Sequence, residues 1–189
     1  MATGKLIIFS APSGSGKTTI VKELLKIFPQ FEFSISATSR APRGQEQNGV
    51  DYFFLSQEEF RAKVEADEFV EWEEVYNGTC YGTLKSEMER IWSKGNVIIF
   101  DVDVMGGINL KRIFGENACS IFIMPPSIEV LRERLIGRGT DSAETIEKRV
   151  AKAAFEISKA DEFDNIVIND ILADAVAQTK VIIEEFLAK

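Results

Sequence analysis

An unbroken apolar run, Leu6-Ile-Ile-Phe9, leads into the small-residue loop Ser10-Ala-Pro-Ser-Gly-Ser-Gly16. A helical pattern follows, in which Ile20, Val21, Leu24, Leu25 and Phe28 recur before Pro29 stops it. An apolar run without alternation is a strand buried on both faces, which needs a sheet covered by helices on each side. The same signature returns at Val97-Ile-Ile-Phe100, Ser120-Ile-Phe-Ile123 and Ile166-Val-Ile168, with amphipathic stretches between or after these runs. The pattern predicts an α/β fold built on a parallel sheet.

Within the loop, Gly14-Ser15-Gly16-Lys17-Thr18-Thr19 matches the second half of the Walker A pattern, in the strand-to-helix setting that the pattern requires. Glycines let backbone N–H groups turn around phosphate oxygens, and the helix N-terminus adds positive potential. Lys17 reaches the β and γ oxygens, and the Thr18 hydroxyl suits a magnesium ion. Ala11 stands where the pattern has its first glycine, so the backbone there must be one that alanine accepts. The strand Val97 to Asp101, followed by Asp103, places carboxylates at the sheet's C-terminal edge, where Asp101 can join the magnesium through a water. These features specify a P-loop NTPase-type sheet.

Between about 33 and 95 the texture changes to short aromatic and β-branched runs, with turn signals at Asn48-Gly49 and Asn77-Gly78. This reads as an inserted, strand-rich lobe. Ser56-Gln-Glu-Glu59 forms a capping box for one helix there, and Leu84 to Trp92 forms a second. From about 126 to 150 the chain is polar and arginine-rich, with Asp141 and Glu144 spaced to cap a helix running to about Ala160. It reads as a mobile flap. The core then comprises about 1–32, 96–125 and 151–189, closed by a helix over Leu172 to Leu187 with Val176, Ile183 and Phe186 on its apolar face.

Composition narrows the chemistry. The chain has 189 residues, 45% of them apolar, which suits one domain with inserted lobes. Thirty acidic against 22 basic residues give a net charge of −8, which disfavours nucleic-acid binding. There is no histidine, so catalysis must rest on lysine, arginine, carboxylates and metal. No run approaches the roughly 18 apolar residues of a membrane span. Without a signal-peptide pattern, a cytoplasmic protein is expected. Cys80 and Cys119 match no metal-ligand spacing and read as two buried free thiols.

The segments Ser34-Ile-Ser-Ala-Thr-Ser-Arg-Ala-Pro-Arg43, Gly49-Val-Asp-Tyr-Phe53, Glu68-Phe-Val-Glu-Trp72 and Tyr81-Gly-Thr83 resemble guanylate kinase. So do Asp101-Val-Asp103, Pro125-Pro126-Ser127, Arg134-Leu-Ile-Gly-Arg-Gly139 and Val167-Ile-Asn-Asp170. The resemblance covers nearly the whole chain. It implies transfer of the γ-phosphoryl group of magnesium-ATP to GMP, with tolerance of dGMP, in purine nucleotide metabolism and GMP recycling. It implies no obligate protein partner.

On this resemblance Glu71 accepts from guanine N1–H and the exocyclic amine while Ser36 and Thr83 donate to O6, as the chemistry of that edge allows. Asp103 is a further base-side contact, its role not separable by sequence from that of Asp101. Arg40, Arg43, Tyr52 and Tyr81 hold the acceptor's phosphate. Arg138 and Arg149, with Arg134 as a lesser candidate, act from the flap, and Asn169 and Asp170 lie near the donor adenine. The alternative for the flap arginines is that Glu133, Glu144 and Glu147 pair them on exposed helices. Two rival functions remain: a binding module of this fold that has lost catalysis, and a kinase for AMP or UMP. The intact set of Lys17, Thr18, Arg43, Arg138 and Arg149 argues against the first, and Glu71 against the second.

Overall fold

The computed structural model describes residues 4–76, 78–139 and 141–189. The described residues divide into two compact units, one of Lys5–Phe31 with Ile99–Lys189, the other of Gly4 with Glu32–Ile98.

A five-stranded sheet is made of β1 (Leu6–Ser10), β2 (Phe31–Phe33), β7 (Val97–Asp101), β8 (Ala118–Met124) and β9 (Asn165–Ile168), in the order β2-β7-β1-β8-β9, and of these β1, β8 and β9 lie wholly in the first unit. β1 runs parallel to β8, Leu6 opposite Ala118, and β8 runs parallel to β9. All five residues of β1 are buried, as its unbroken apolar run requires. Helix α1 (Lys17–Ile27) buries Ile20, Val21 and Leu24 and ends where Phe28 stacks on Phe31. Helix α4 (Val104–Phe114) packs Val104 and Ile108 with Phe122 and Phe163. The strand order diverges from β1, with β7 on one side and β8 on the other, so the crevice at its C-terminal end is where such sheets bind ligands.

Helices α5 (Ile128–Gly137) and α6 (Ala143–Ile157) pack on each other through Leu131, Leu135, Ile146, Val150 and Ala153. The cap of α6 corrects the sequence reading. Ser142, not Asp141, accepts from Thr145 N, and the helix ends at Ile157. Both residues are good caps by type, but Asp141 is held by Arg149 instead. Helix α7 (Leu172–Ala188) buries Ala175, Thr179 and Ile183. Among the described residues no helix is long and apolar enough to cross a membrane.

The second unit is a four-stranded sheet of β3 (Ala37–Thr38), β4 (Phe53–Phe54), β5 (Phe69–Tyr76) and β6 (Thr79–Leu84), in the order β4-β3-β6-β5. Helix α2 (Gln57–Glu65) starts on the expected capping box and lays Phe60 on Phe69, ring centroids 4.4 Å apart, beside Ala37 and Leu84. Helix α3 (Lys85–Trp92) buries Met88 and Ile91. β5 and β6 form a hairpin about the second turn signal, of which Asn77 lies outside the described residues. The first signal, Asn48-Gly49, forms its turn, with Val50 N donating to Gln47 O at 3.2 Å, in a loop and not in a hairpin. β3 and β4 pair in parallel, and the Asn48 side chain closes the long loop between them by accepting from Phe54 N. Cys119 is buried as expected, and burial with the Asp164 charge pushes its thiol up to about 12. Cys80 is half-buried instead. It lines a cavity of about 160 Å³ with Phe60, Val64 and Trp72.

One ion network stands out in this unit. Glu32 receives Arg90, Lys94 at 2.9 and 3.1 Å, and Asn96 Nδ2 at 2.9 Å, while Arg90 also binds the buried Glu87. Burial pushes the Glu32 carboxyl up, but the bonds from Lys94, Asn96 and Arg90 outweigh it and bring it to about 2. A depressed carboxylate contributes stability above its ordinary value near 4.5 and loses that contribution as pH falls toward 2. Glu32→Gln is therefore expected to lower Tm at pH 7 by about 3 °C. Thermal melts of both proteins should converge as pH falls below 4.5, and a gap that stays constant with pH would disprove the ionic origin.

Candidate active site

The loop after β1 is positioned by the sheet's central strand and ends at Gly16, the N-cap of α1, with φ 87°. A side chain at Gly16 would collide with the amide of Asn169, which itself donates to Ser15 O at 2.7 Å. Helices α2, α4, α5 and α6 are capped by Ser56, Asp103, Ser127 and Ser142. Helix α1 has no side-chain cap and no acidic residue in its first turn. Its terminal N–H groups and dipole are thus left for an anion. Ala11 is buried, and among the described residues Asp67 alone of the non-glycines has positive φ, so alanine fits the first glycine's place without strain.

Lys17 pairs with Asp101 at the end of β7 and donates to Val102 O at 3.2 Å. Thr18 and Thr19 are exposed in the first turn of α1. The Thr18 hydroxyl and the Asp101 carboxylate are hard oxygen donors, a small set that suits magnesium, which keeps several waters and takes its other ligands from phosphates. Among the described residues no three of His, Cys, Asp and Glu gather into a protein-only metal cage. Asp103 spends one carboxylate oxygen on Gly106 N, at 2.8 Å, as the cap of α4. Glu156, which sequence reading did not single out, is buried on α6. Burial pushes its carboxyl up, with Lys152, 3.4 Å away, pulling it back.

Of the flap arginines, Arg149 donates to Ser13 Oγ at 2.6 Å and pairs with Asp141 at 3.3 Å, reaching the phosphate loop itself. Arg134 donates to Asn169 O at 2.9 Å. Arg138 ends α5 and is exposed. Glu147 and Glu144 hold Arg132 and Lys148, so these carboxylates do not take Arg134, Arg138 or Arg149. Asn169 is buried against the loop, whereas Asp170 is exposed.

The remaining candidates lie in the second unit. The hairpin register sets Glu71 opposite Thr83, and the Thr83 hydroxyl donates to Glu71 Oε1 at 2.8 Å. In this state Thr83 therefore orients the carboxylate and does not offer its proton to a guanine oxygen. Between Tyr81 and Thr83 only glycine fits, since a Cβ at Gly82 would press on Glu71 O and the Phe69 ring. Ser36 is half-buried beside β3. Arg40 lies 4.9 Å from the Tyr52 ring centroid, bonds Tyr81 Oη through Nε at 3.1 Å, and forms a two-point pair with Glu46 at 2.7 and 2.8 Å. Arg43 is exposed. Sequence reading missed Glu46 because it sits in an irregular loop, where no helical or strand spacing links it to Arg40.

The family model described as Guanylate kinase matches residues 3–186. The chain is 57% identical over 187 residues to a guanylate kinase of Bacteroides thetaiotaomicron, covering 99% of this chain and 92% of that protein. It is 57% identical over 186 residues to a guanylate kinase of Porphyromonas gingivalis, covering 98% and 99%. It also resembles the crystal structure of guanylate kinase from Anaplasma phagocytophilum, with a TM-score of 0.73 at 30% identity, covering 98% of this chain and 87% of the other.

Proposed function

Since this chain belongs to the guanylate kinase family and is a nucleoside monophosphate kinase converting ATP and GMP to ADP and GDP, we propose that its described side chains divide that work as follows. Gly14, Ser15, Gly16, Lys17, Thr18 and Thr19 hold the donor's phosphates, and Lys17 leaves Asp101 for their β and γ oxygens. Asn169 braces this loop beside the adenine, with Asp170 near it. Thr18, with Asp101 through water, would hold magnesium, which would supply neutralisation of the phosphate charge.

Arg40, Arg43, Tyr52 and Tyr81 hold the acceptor's phosphate. Glu71, Ser36, Asp101 and Asp103 read guanine, and Thr83 orients Glu71 for it. The acceptor needs no general base, because a monophosphate with a second pKa near 6 is already largely dianionic at neutral pH. Catalysis then consists of alignment and charge neutralisation by Lys17, Arg43, Arg138 and Arg149. The enzyme works in the cytoplasm, in purine nucleotide metabolism, and accepts dGMP as well as GMP.

The observation that carries this reading is the hydrogen bond from the Thr83 hydroxyl to Glu71 Oε1, which fixes that carboxylate on its strand pair. ADP release from magnesium-ATP, measured in a coupled assay with GMP, dGMP, AMP, UMP or no acceptor, tests it. Strong release is expected with GMP and dGMP only, and Arg43→Ala should lower kcat/KM for GMP by about a hundredfold. GMP binding without turnover would point to a binding module, and equal turnover with AMP would sink the role of Glu71.

A further inference from the structure

The guanidinium of Arg40 is almost fully committed. Of its five N–H groups, Nε donates to Tyr81 Oη, Nη1 donates to Ala41 O at 3.0 Å and to Glu46, and Nη2 donates once to Glu46. One N–H, on Nη2, has no partner among the described residues. The Tyr81 oxygen accepts from Arg40, so its own proton is left to donate onward. Tyr52 and Phe54 lie against the guanidinium, 4.9 and 5.6 Å from their ring centroids, and fix its plane.

Glu46 reaches further than this one side chain. It also accepts from Arg43 N at 2.7 Å, and its own N–H donates to Arg43 O at 3.1 Å. Both ends of the Arg40-Ala-Pro-Arg43 segment are therefore tied to a single carboxylate. The Glu46 carboxyl is held near 2, first by the Arg40 bonds and then by Arg43 N, so it stays ionised throughout the neutral range.

We infer that Glu46 is a positioning residue for the acceptor's phosphate: it fixes Arg40 so that one guanidinium N–H and the Tyr81 hydroxyl point at the phosphate, and it sets the backbone from which Arg43 extends. Because Glu46 and Arg40 cancel in charge, the pair supplies directed donors and Arg43 supplies the net positive charge. An arginine held at two points loses little side-chain freedom on binding. Removing one of the two points returns that entropic cost.

This rests on the reading of Arg40, Arg43, Tyr52 and Tyr81 as acceptor-phosphate donors, and the test separates the two. GMP and guanosine, which lacks the phosphate, are titrated calorimetrically into Glu46→Gln and Arg43→Ala proteins, with steady-state kinetics alongside. Glu46→Gln is expected to raise KM for GMP about twentyfold, change kcat less than about threefold, and leave guanosine affinity unchanged. If guanosine affinity falls in step with GMP, Glu46 only holds the unit together and the proposal is overturned. If Arg43→Ala weakens GMP while Glu46→Gln does not, positioning by Glu46 is overturned and the phosphate site stands. If neither variant separates GMP from guanosine, the phosphate-site reading itself falls.

Discussion

Replacing Lys17 with methionine is expected to lower kcat for GMP phosphorylation about a thousandfold, the scale seen when a group aimed at developing transition-state charge is removed. Methionine keeps the length and apolar stem of lysine and removes only the charge. Asp101, paired with Lys17 here, loses its partner at a partly exposed site, so the cost in stability is small. KM for GMP should change little, because Arg40, Arg43, Tyr52 and Tyr81, the residues proposed to hold the acceptor's phosphate, are not touched by the substitution. The coupled ADP-release assay and a thermal melt check both statements. A loss smaller than tenfold in kcat would mean that Lys17 is not the residue that follows the γ-phosphoryl group.

Glu71→Gln should lower kcat/KM for GMP by a similar factor for a different reason. A carboxylate accepts two hydrogen bonds from guanine, whereas an amide offers one acceptor and sets its own N–H₂ against a donor. Two charge-assisted bonds at about 2 kcal/mol each amount to about a thousandfold. The Thr83 hydroxyl, which donates to Oε1, would be expected to hold the glutamine oxygen and leave the amide nitrogen facing the base. The reading is checked by kcat/KM for GMP against AMP. A variant that loses GMP activity without any narrowing of the GMP-to-AMP ratio would place Glu71 in the architecture and not in base selection.

How far the sequence could be read depended on whether a feature was local. β1, its loop and α1 follow one another in the chain, and the apolar run, glycines and helical spacing each leave a local mark. The Ser56 to Glu59 capping box was legible for the same reason. Ser142 was not, because two adjacent capping residues compete and Arg149, about two turns into the helix, decides between them. Asn48-Gly49 marked the turn that forms there, but that Asn48 accepts from Phe54 N was not legible, since it lies across a loop whose path no pattern describes. Among the candidate site residues, types and motif spacing singled out Lys17, Glu71 and Arg40. What they bond to was not written locally, since Asp101, Thr83 and Glu46 come from other strands or irregular loops.

The two cysteines described above differ in a way that matters to anyone handling the protein. The nucleophile in thiol chemistry is the thiolate, and a thiol pushed up to about 12 and sealed inside β8 supplies almost none of it at neutral pH. Cys119 is therefore chemically silent in the folded state. Cys80, at the edge of a cavity it shares with the half-exposed Trp72, is left as the single handle for site-selective conjugation. A fluorophore or spin label attached there would sit beside a native indole, in the unit that carries Glu71 and Arg40, without any cysteine having to be engineered in or out.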